Sequence, residues 1–258
     1  MSSQITRRLK PEEEEILRKR EELAVIRAAL AERELELVDL RRELAAFEGR
    51  YLRQVGILYA ELDEWKARIA ELKARLDPSA AGHVKAEEAR EQARQTYEDA
   101  HGAASQAPDF TPSPDLKRLF REAAKRIHPD FAKDSADLER RTRFMAEANR
   151  AYEAGDAEAL QRILDDYHEG ADAVAGEGIG AELIRIIRQI SQAKERVSAI
   201  EKELSALRQS EIALLKKDAE EREQEGRDLL AELAASVNEQ IEKAKMEFEA
   251  LAGRDWTA

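Results

Sequence analysis

The side chains with the most distinctive chemistry lie at the end of the stretch LKRLFREAAKRIHPDFAK, residues 116–133. His128 and Asp130 are separated there by Pro129 alone. An imidazole beside a carboxylate suits a general acid–base pair, a metal site or a structural corner. The chain has no cysteine and no second histidine near this point of the sequence, so we expect no metal and no thiolate chemistry. We also find no nucleophile or pocket signature beside the pair, and therefore no case for catalysis.

The segment before this tripeptide is predicted to be a basic amphipathic helix. Its apolar side chains recur at the spacing of one buried helix face: Leu116, Leu119, Phe120, Ala123, Ala124 and Ile127. It carries five basic residues and one acidic residue, a local charge of +4 in a chain whose net charge is -12. Lys117, Arg121 and Lys125 are spaced by four and line one face. A charged face is usually only solvated, but this local excess favours docking of an acidic partner.

Helix signals frame the tripeptide on both sides. Ser113 followed by Pro114 predicts a helix N-terminus, and Pro129 disfavours helical geometry at His128, so the helix should end in a rigid corner there. A second helix is predicted over about 136–154 and a third one after the cap Asp156. Their predicted buried residues are Leu138, Phe144, Met145, Ala148, Ala151, Tyr152, Leu160, Ile163, Leu164 and Tyr167.

Long heptad repeats flank this small domain. The first seam lies within 12–76 and slips by four residues after Tyr51, a stutter flanked by Gly49 and Gly56, so we predict one bent helix. Its first members are Leu23, Ile26, Leu30, Leu37, Leu40, Leu44 and Phe47. The second seam lies within 179–251 and includes Leu183, Ile186, Ile190, Val197, Ile200, Leu204, Leu207, Leu230, Leu233 and Val237. No strand is predicted anywhere.

The two seams have similar lengths, roughly 100 Å each. We therefore predict an all-α fold: a long antiparallel coiled-coil hairpin with the small domain inserted between its arms, and with Leu72 near Ile186. The alternative is that each seam pairs with a second copy of the chain. The predicted divisions are a tail (1–11), a first coiled-coil helix (12–76), a linker with an accessory helix (77–111), the small helical domain (112–168), a glycine-rich hinge (169–180) and a second coiled-coil helix (181–252).

Residues 112–167 resemble a J-domain, the module of DnaJ-type co-chaperones. The resemblance rests on the order of basic helix, His-Pro-Asp, polar loop and a helix containing RFMAEANRAYEAG. Leu116, Lys117, Phe120, Arg121 and Arg126 match the family pattern in the first of these helices, and Phe144, Ala148, Ala151 and Tyr152 match it in the second. The family's own short first helix is not recognisable before Pro114, and residues 84–104, with Tyr97, are a candidate replacement. Glu122 and Phe131 stand where the family frequently has basic residues.

The resemblance implies a function. The corner of a J-domain engages a DnaK-type ATPase chaperone (the seventy-kilodalton heat-shock class) and triggers its ATP hydrolysis, with Asp130 paired to an arginine of that partner. The implied partner-binding residues are His128, Pro129, Asp130, Lys117, Arg118, Arg121, Lys125 and Arg126. The implied domain core is Leu116, Leu119, Phe120, Ile127, Phe144, Ala148 and Tyr152. The chain would then be no enzyme itself but an activator, with no cofactor.

Composition narrows the other possibilities. The net acidity disfavours nucleic acid as the main partner, and the absence of a long uncharged apolar stretch or a signal peptide predicts a soluble cytoplasmic protein without a membrane partner. The coiled coil would serve as a spacer, as an arm for a client protein or localisation, or as a homodimer interface. The competing function is a coiled-coil scaffold or adaptor whose J-like domain is inactive.

Overall fold

A computed structural model describes residues 10–76, 78–103, 111–167 and 178–255. These residues are all-helical, with no strand among them, which confirms the predicted fold class. The helices are α1 (Pro11–Tyr51), α2 (Ile57–Leu76), α3 (Ala80–Ala103), α4 (Pro114–Ile127), α5 (Ser135–Glu153), α6 (Ala157–Asp166), α7 (Ile179–Arg208), α8 (Glu211–Gln224) and α9 (Leu229–Asp255). Residues 1–9 of the predicted tail, 104–110 of the predicted linker and 169–177 of the predicted glycine-rich hinge lie outside the described residues.

The stutter in the first heptad repeat coincides with a π-helical segment between α1 and α2. This segment, Leu52–Gly56, lies where the apolar seam slips, and Val55 within it is buried. A Cβ added at Gly56 would lie 2.9 Å from Cδ2 of Leu52, so glycine permits the local close approach. The first seam is thus helical throughout, as predicted, and the wider π-turn accommodates the change of phase.

The second predicted long helix is instead three helices. Ser210 ends the continuity by capping α8, because its hydroxyl oxygen accepts a hydrogen bond from the Ala213 N–H. Gly226 adopts a φ of 78°, a left-handed conformation that favours glycine, between α8 and α9. The heptad pattern of the sequence continues across Ser210 and Gly226, but these residues end and restart the helices there.

The described chain forms two compact units. The first contains α1 up to Arg42, together with α4, α5, α6 and α7. Within it α1 and α7 run parallel: Arg20 pairs with Glu182 and Arg41 pairs with Glu203, and the partners are 162 residues apart in both pairs. In antiparallel helices that separation would shrink along the chain.

The predicted antiparallel pairing is therefore wrong. Leu183 and Ile186 pack in a cluster with Ile16 and Leu23 of α1. The physical reason is that an a/d seam buries the same side chains whichever way its partner runs. Matched seam lengths carry no information on direction, and the intervening chain is long enough for either arrangement.

A second apolar face of α1 packs on the small helical domain. Ala31, Leu35 and Val38, spaced i, i+4 and i+7, belong to the same buried cluster as the cores of α4, α5 and α6. Leu30 and Leu37 lie in the other cluster, against α7. One helix thus positions both its parallel partner and the domain that carries the His-Pro-Asp tripeptide.

The second unit contains the rest of α1, then α2, α3, α8 and α9. Arg90 of α3 bonds Glu71, while Thr96 bonds Asp63, so α3 runs antiparallel to α2. Tyr97 is exposed and stacks on His101. The suggestion that residues 84–104 supply the missing helix of the small domain, with Tyr97 in its core, is wrong.

None of the described helices is long and apolar enough to cross a membrane.

Candidate docking site at the His-Pro-Asp corner

The corner is a single turn of 3-10 helix between α4 and α5. The Ser113 hydroxyl caps the start of α4 by accepting from the Leu116 N–H, as predicted. At the other end His128 has φ -59° and ψ 135°, which ends the helix before the turn Pro129–Phe131. The Asp130 N–H donates to Nδ1 of His128 at 3.2 Å. The imidazole therefore caps its own turn and keeps the corner rigid.

His128 is buried, with 4% of its surface exposed, and bonds to α1. Since Nδ1 accepts a hydrogen bond, Nε2 carries the proton and donates to Oε1 of Glu34 at 3.0 Å. Nε of Arg196, from α7, donates to the same oxygen at 2.9 Å. Burial by itself would raise the pKa of Glu34, but these two hydrogen bonds outweigh it and hold that pKa below its ordinary value.

Arg141 of α5 holds the corner from its inner side. Its guanidinium donates to the carbonyl of Arg126 at 2.9 Å and to that of His128 at 3.4 Å, which satisfies acceptors at the end of α4. Its Nε donates to Asp137 at 2.8 Å, and both side chains are buried. Burial opposes ionisation of Asp137, yet hydrogen bonds from Arg140, Arg141 and the Lys133 N–H lower its pKa to about 2.

Asp130 is the group that the corner leaves unsatisfied. Its Oδ2 atom is buried and accepts no hydrogen bond from any described residue. The nearest basic atom is Nδ1 of His128, at 3.7 Å, beyond hydrogen-bond distance and already an acceptor. Burial raises the pKa of Asp130. Burying this oxygen without a hydrogen bond costs stability. The Asp130 side chain lies outside the apolar clusters, so no hydrophobic packing of its own offsets that cost.

Phe131 anchors the corner to both long helices. Its side chain is 1% exposed and packs with Ile186 and Ile190 of α7. Gln189 Nε2 donates to its carbonyl at 3.1 Å, and the Arg27 guanidinium of α1 lies 4.5 Å from its ring centroid. A basic residue at this position would place its charge in this apolar cluster.

Two of the predicted basic partner-binding residues are paired with α1. Lys117 Nζ lies 2.8 Å from Oδ2 of Asp39, and Arg121 Nε lies 2.8 Å from Oε1 of Glu32. The remaining basic residues face elsewhere. Arg118 is exposed and lies 3.6 Å from Asp115 of its own helix, while Arg126 approaches Glu122 at 3.8 Å and the Tyr167 carbonyl at 3.4 Å. Lys125 is exposed and has no ion pair with another described residue.

The predicted core residues lie together in one apolar cluster, with Phe144 partly buried at its edge. The ring of Phe120 is 4.7 Å from that of Tyr152, and the ring of Phe144 is 5.5 Å from that of Tyr167. Leu138, which was predicted to be buried, is 46% exposed. The helical stripe of α5 therefore begins one turn later than its apolar pattern indicates.

Sequence reasoning missed five polar residues that shape the site: Glu34, Asp137, Arg141, Gln189 and Arg196. Asp137 and Arg141 had a local signal, an i, i+4 pair of opposite charge on α5. The other three lie on the long helices, where charged and amide side chains are the rule on solvated faces.

The assembled site can recognise a cation or a basic partner surface through Asp130. Within the described ranges no cluster of three histidine, aspartate or glutamate side chains could hold a metal ion.

Comparisons of this chain with protein-family models, with curated proteins and with solved structures give no match. The J-domain resemblance therefore rests on the residues quoted above and on their arrangement.

Proposed function

We propose that the chain is a J-domain co-chaperone that recruits a DnaK-type chaperone and stimulates its ATP hydrolysis. The arrangement of α4, α5 and the corner supports the proposal. A basic helix ends at His128, the tripeptide forms a rigid turn, and α5 returns to pack on α4 through Phe120 and Tyr152. The activity is that of an activator, because the ATP and its hydrolytic machinery belong to the partner.

The observation that carries the proposal is the buried Oδ2 atom of Asp130, which accepts no hydrogen bond from a described residue. A buried carboxylate oxygen without a hydrogen-bond partner costs stability, and burial has raised the pKa of this group. An external cation that bonds this oxygen, as an arginine of the chaperone partner would do, offsets that cost.

The long helices supply the arm. In the first unit, α1 and α7 form a parallel pair, and α1 carries the J-like domain on its other apolar face. We propose that this pair holds the domain at a defined place beside a client-binding or localising surface. In the sequence the domain lies between the two helices of this pair. In space it packs against the side of α1 that does not contact α7.

A steady-state ATPase assay tests the proposal. Addition of the full chain to a DnaK-type chaperone should raise the ATPase rate in proportion to added protein until the partner is saturated. A chain with Pro129→Ala is the matched control, because it keeps the charges of α4 and of the corner while relaxing the turn. The proposal is rejected if neither the wild-type chain nor a chain with Glu32→Lys/Asp39→Lys, which weakens the contacts of α4 with α1, raises the rate under conditions where a known J-domain stimulates.

One observation favours the second candidate, a scaffold whose J-like domain is inactive. His128 is buried and bonded to Glu34, and Lys117 and Arg121 are engaged with α1. In a pure scaffold these contacts would simply fix the domain to the long helices. The two functions differ in what happens when the contacts are weakened: a scaffold loses stability and gains no activity.

A further inference from the structure

Three acidic residues of α1 contact the docking site, and we call Glu32, Glu34 and Asp39 the acidic clamp. Glu32 and Asp39 are seven residues apart on one face of the helix and reach Arg121 and Lys117. Glu34 reaches His128. The clamp therefore touches both parts of the surface that the J-domain resemblance assigns to the chaperone partner: the basic helix and the corner.

The carboxylates of α1 occupy the basic side chains of α4 that an acidic partner is expected to contact. Lys117 and Arg121 belong to the face whose positive charge predicted an acidic docking surface, and each carries a carboxylate of α1 at 2.8 Å. The Tyr152 hydroxyl of α5 also donates to Asp39 at 2.6 Å, which ties the clamp to the domain core. An external acidic surface can take these cations only after Glu32 and Asp39 have left them.

The contact on the corner is more buried. Glu34 and His128 are 6% and 4% exposed, and Arg196 holds the same carboxylate from α7. Behind them Ala31, Leu35 and Val38 are buried against the domain core, and Phe131 is buried against α7. Apolar burial of this kind keeps the closed arrangement dominant, because releasing the domain exposes it to water.

We propose that the acidic clamp keeps the J-like domain closed, so that a DnaK-type partner engages the corner only in the population in which α1 has released α4. This inference rests on the proposed function and adds regulation to it. Arg118 and Lys125 remain exposed in the closed state and serve as first contacts for an acidic partner surface. Docking then shifts the population towards the released state, by an amount set by the partner's preference for it.

The test uses the full chain and changes only α1. The release variant Glu32→Lys/Asp39→Lys places like charges against Arg121 and Lys117, and leaves the corner and the basic helix intact. The matched control Glu242→Lys/Glu249→Lys makes the same change of charge at two exposed residues of α9, within the second unit and outside α2 and α3. A milder pair, Glu32→Gln/Asp39→Asn, keeps the side-chain shapes in case the reversal unfolds the domain.

Two measurements are made on each chain. Hydrogen exchange of the backbone amides of 128–133 reports opening without any partner, and exchange within α2 and α3 serves as the internal reference for folding. The ATPase rate of a DnaK-type chaperone, at a concentration of chain below saturation, reports docking. Exposed ion pairs each contribute modestly, so we expect the release variant to raise both exchange and stimulation about tenfold. The milder pair should raise them less, and the control should match the wild type.

Each other outcome is informative. If exchange at the corner does not rise in either clamp variant, release of α4 by Glu32 and Asp39 does not open the corner, and the inference is overturned. If exchange rises but the wild type already stimulates as strongly as the release variant, the inference fails while the proposed function stands. If the corner exchanges freely and no chain stimulates the chaperone, the proposed function itself fails, and the scaffold function replaces it.

Discussion

Nε2 of His128 and Oε1 of Glu34 are 3.0 Å apart, although 94 residues separate them in the chain. The same carboxylate oxygen accepts from Arg196, so one side chain of α1 links the corner to α7. Glu34 and His128 are both buried, which makes their contact a specific junction rather than a solvated ion pair. The packing of the corner, α1 and α7 therefore depends on two hydrogen bonds to Glu34, and each can be removed by a single substitution.

Acid should destabilise the first unit through Asp137 and Glu34. Both carboxylates have a pKa below the ordinary value, and that of Asp137 is about 2 instead of 3.8. The folded state therefore binds fewer protons, and the stabilisation is present above about pH 4 and lost as the pH falls towards 2. Thermal melting followed from pH 7 to pH 2 measures it. The variant Asp137→Asn should be less stable at pH 7 and should show a flatter profile; an equally steep profile would assign the acid sensitivity to other groups.

Loss of Arg141 should be far more costly than loss of Arg140. Both guanidinium groups bond Asp137, but Arg141 is buried and also donates to the carbonyls of Arg126 in α4 and His128 in the corner. Arg141→Ala removes the buried one of the two guanidinium partners of this carboxylate and should lower the free energy of unfolding by about 3–5 kcal/mol. Arg140→Ala, at the exposed side of the same carboxylate, should lower it by about 1 kcal/mol or less. Urea denaturation of the two variants provides the comparison, and equal losses would contradict the bonding described here.

The helices around the corner were largely predictable because their signals are local. Ser113, Pro114, Pro129 and Asp156 cap or end helices through contacts within four residues, and the structure places these boundaries within a residue of prediction. The stripe Ala31, Leu35 and Val38 was missed for the opposite reason. Alanine is compatible with buried and exposed positions alike, and a second apolar face next to a strong heptad is not distinguishable from scatter.

Phe131 should be a main anchor between the corner and the long helices. Its ring is fully buried in the cluster of α1 and α7, so Phe131→Ala should lower the free energy of unfolding by about 3–5 kcal/mol. Leu138→Ala, which shortens an exposed apolar side chain of α5, is the control and should change it by less than about 1 kcal/mol. A small effect at Phe131 would mean that the corner does not pack on α7.

The parallel direction of α1 and α7 can be tested by crosslinking, because the natural chain has no cysteine. Glu22 and Lys194 are 2.8 Å apart at their charged atoms, so Glu22→Cys/Lys194→Cys should crosslink within one chain through a short bismaleimide. Glu22→Cys/Glu203→Cys should not, because Glu203 pairs with Arg41, about 28 Å further along α1. Failure of both pairs to crosslink, with a crosslink at Leu72→Cys/Ile186→Cys instead, would restore the antiparallel arrangement, and crosslinks only between chains would assign the seam to a dimer.

Neither the parallel direction of α1 and α7 nor the Glu34–His128 junction could have been predicted from this sequence. A heptad seam encodes burial, which the structure bears out at Leu23, Leu30 and Leu37, but a parallel and an antiparallel partner bury the same positions. Glu34 is one of many glutamates on α1, and no local feature separates the one that meets a histidine 94 residues later from those that meet water.

Exposed basic residues of α4 should steer the partner. Lys125 has no ion pair with another described residue and lies in the last turn of the helix. Lys125→Glu should weaken DnaK binding severalfold at low salt and reduce the salt dependence of binding, without affecting melting. Lys217→Glu on α8 makes the same change at an exposed lysine of the second unit and should leave binding as it is. Equal binding by both variants would mean that this face is only solvated.

The proposed co-chaperone function is tested most directly at Asp130, in the release variant Glu32→Lys/Asp39→Lys and in the wild-type chain. Because burial raises the pKa of Asp130 in the folded state, its ionised form costs stability at neutral pH, and Asp130→Asn should leave melting unchanged or slightly raise it. The same substitution should abolish stimulation of the DnaK ATPase in both backgrounds, since the amide cannot pair with a cation of the partner. Full stimulation by the folded Asp130→Asn chain would contradict the assignment of the corner, and so would a loss of folding.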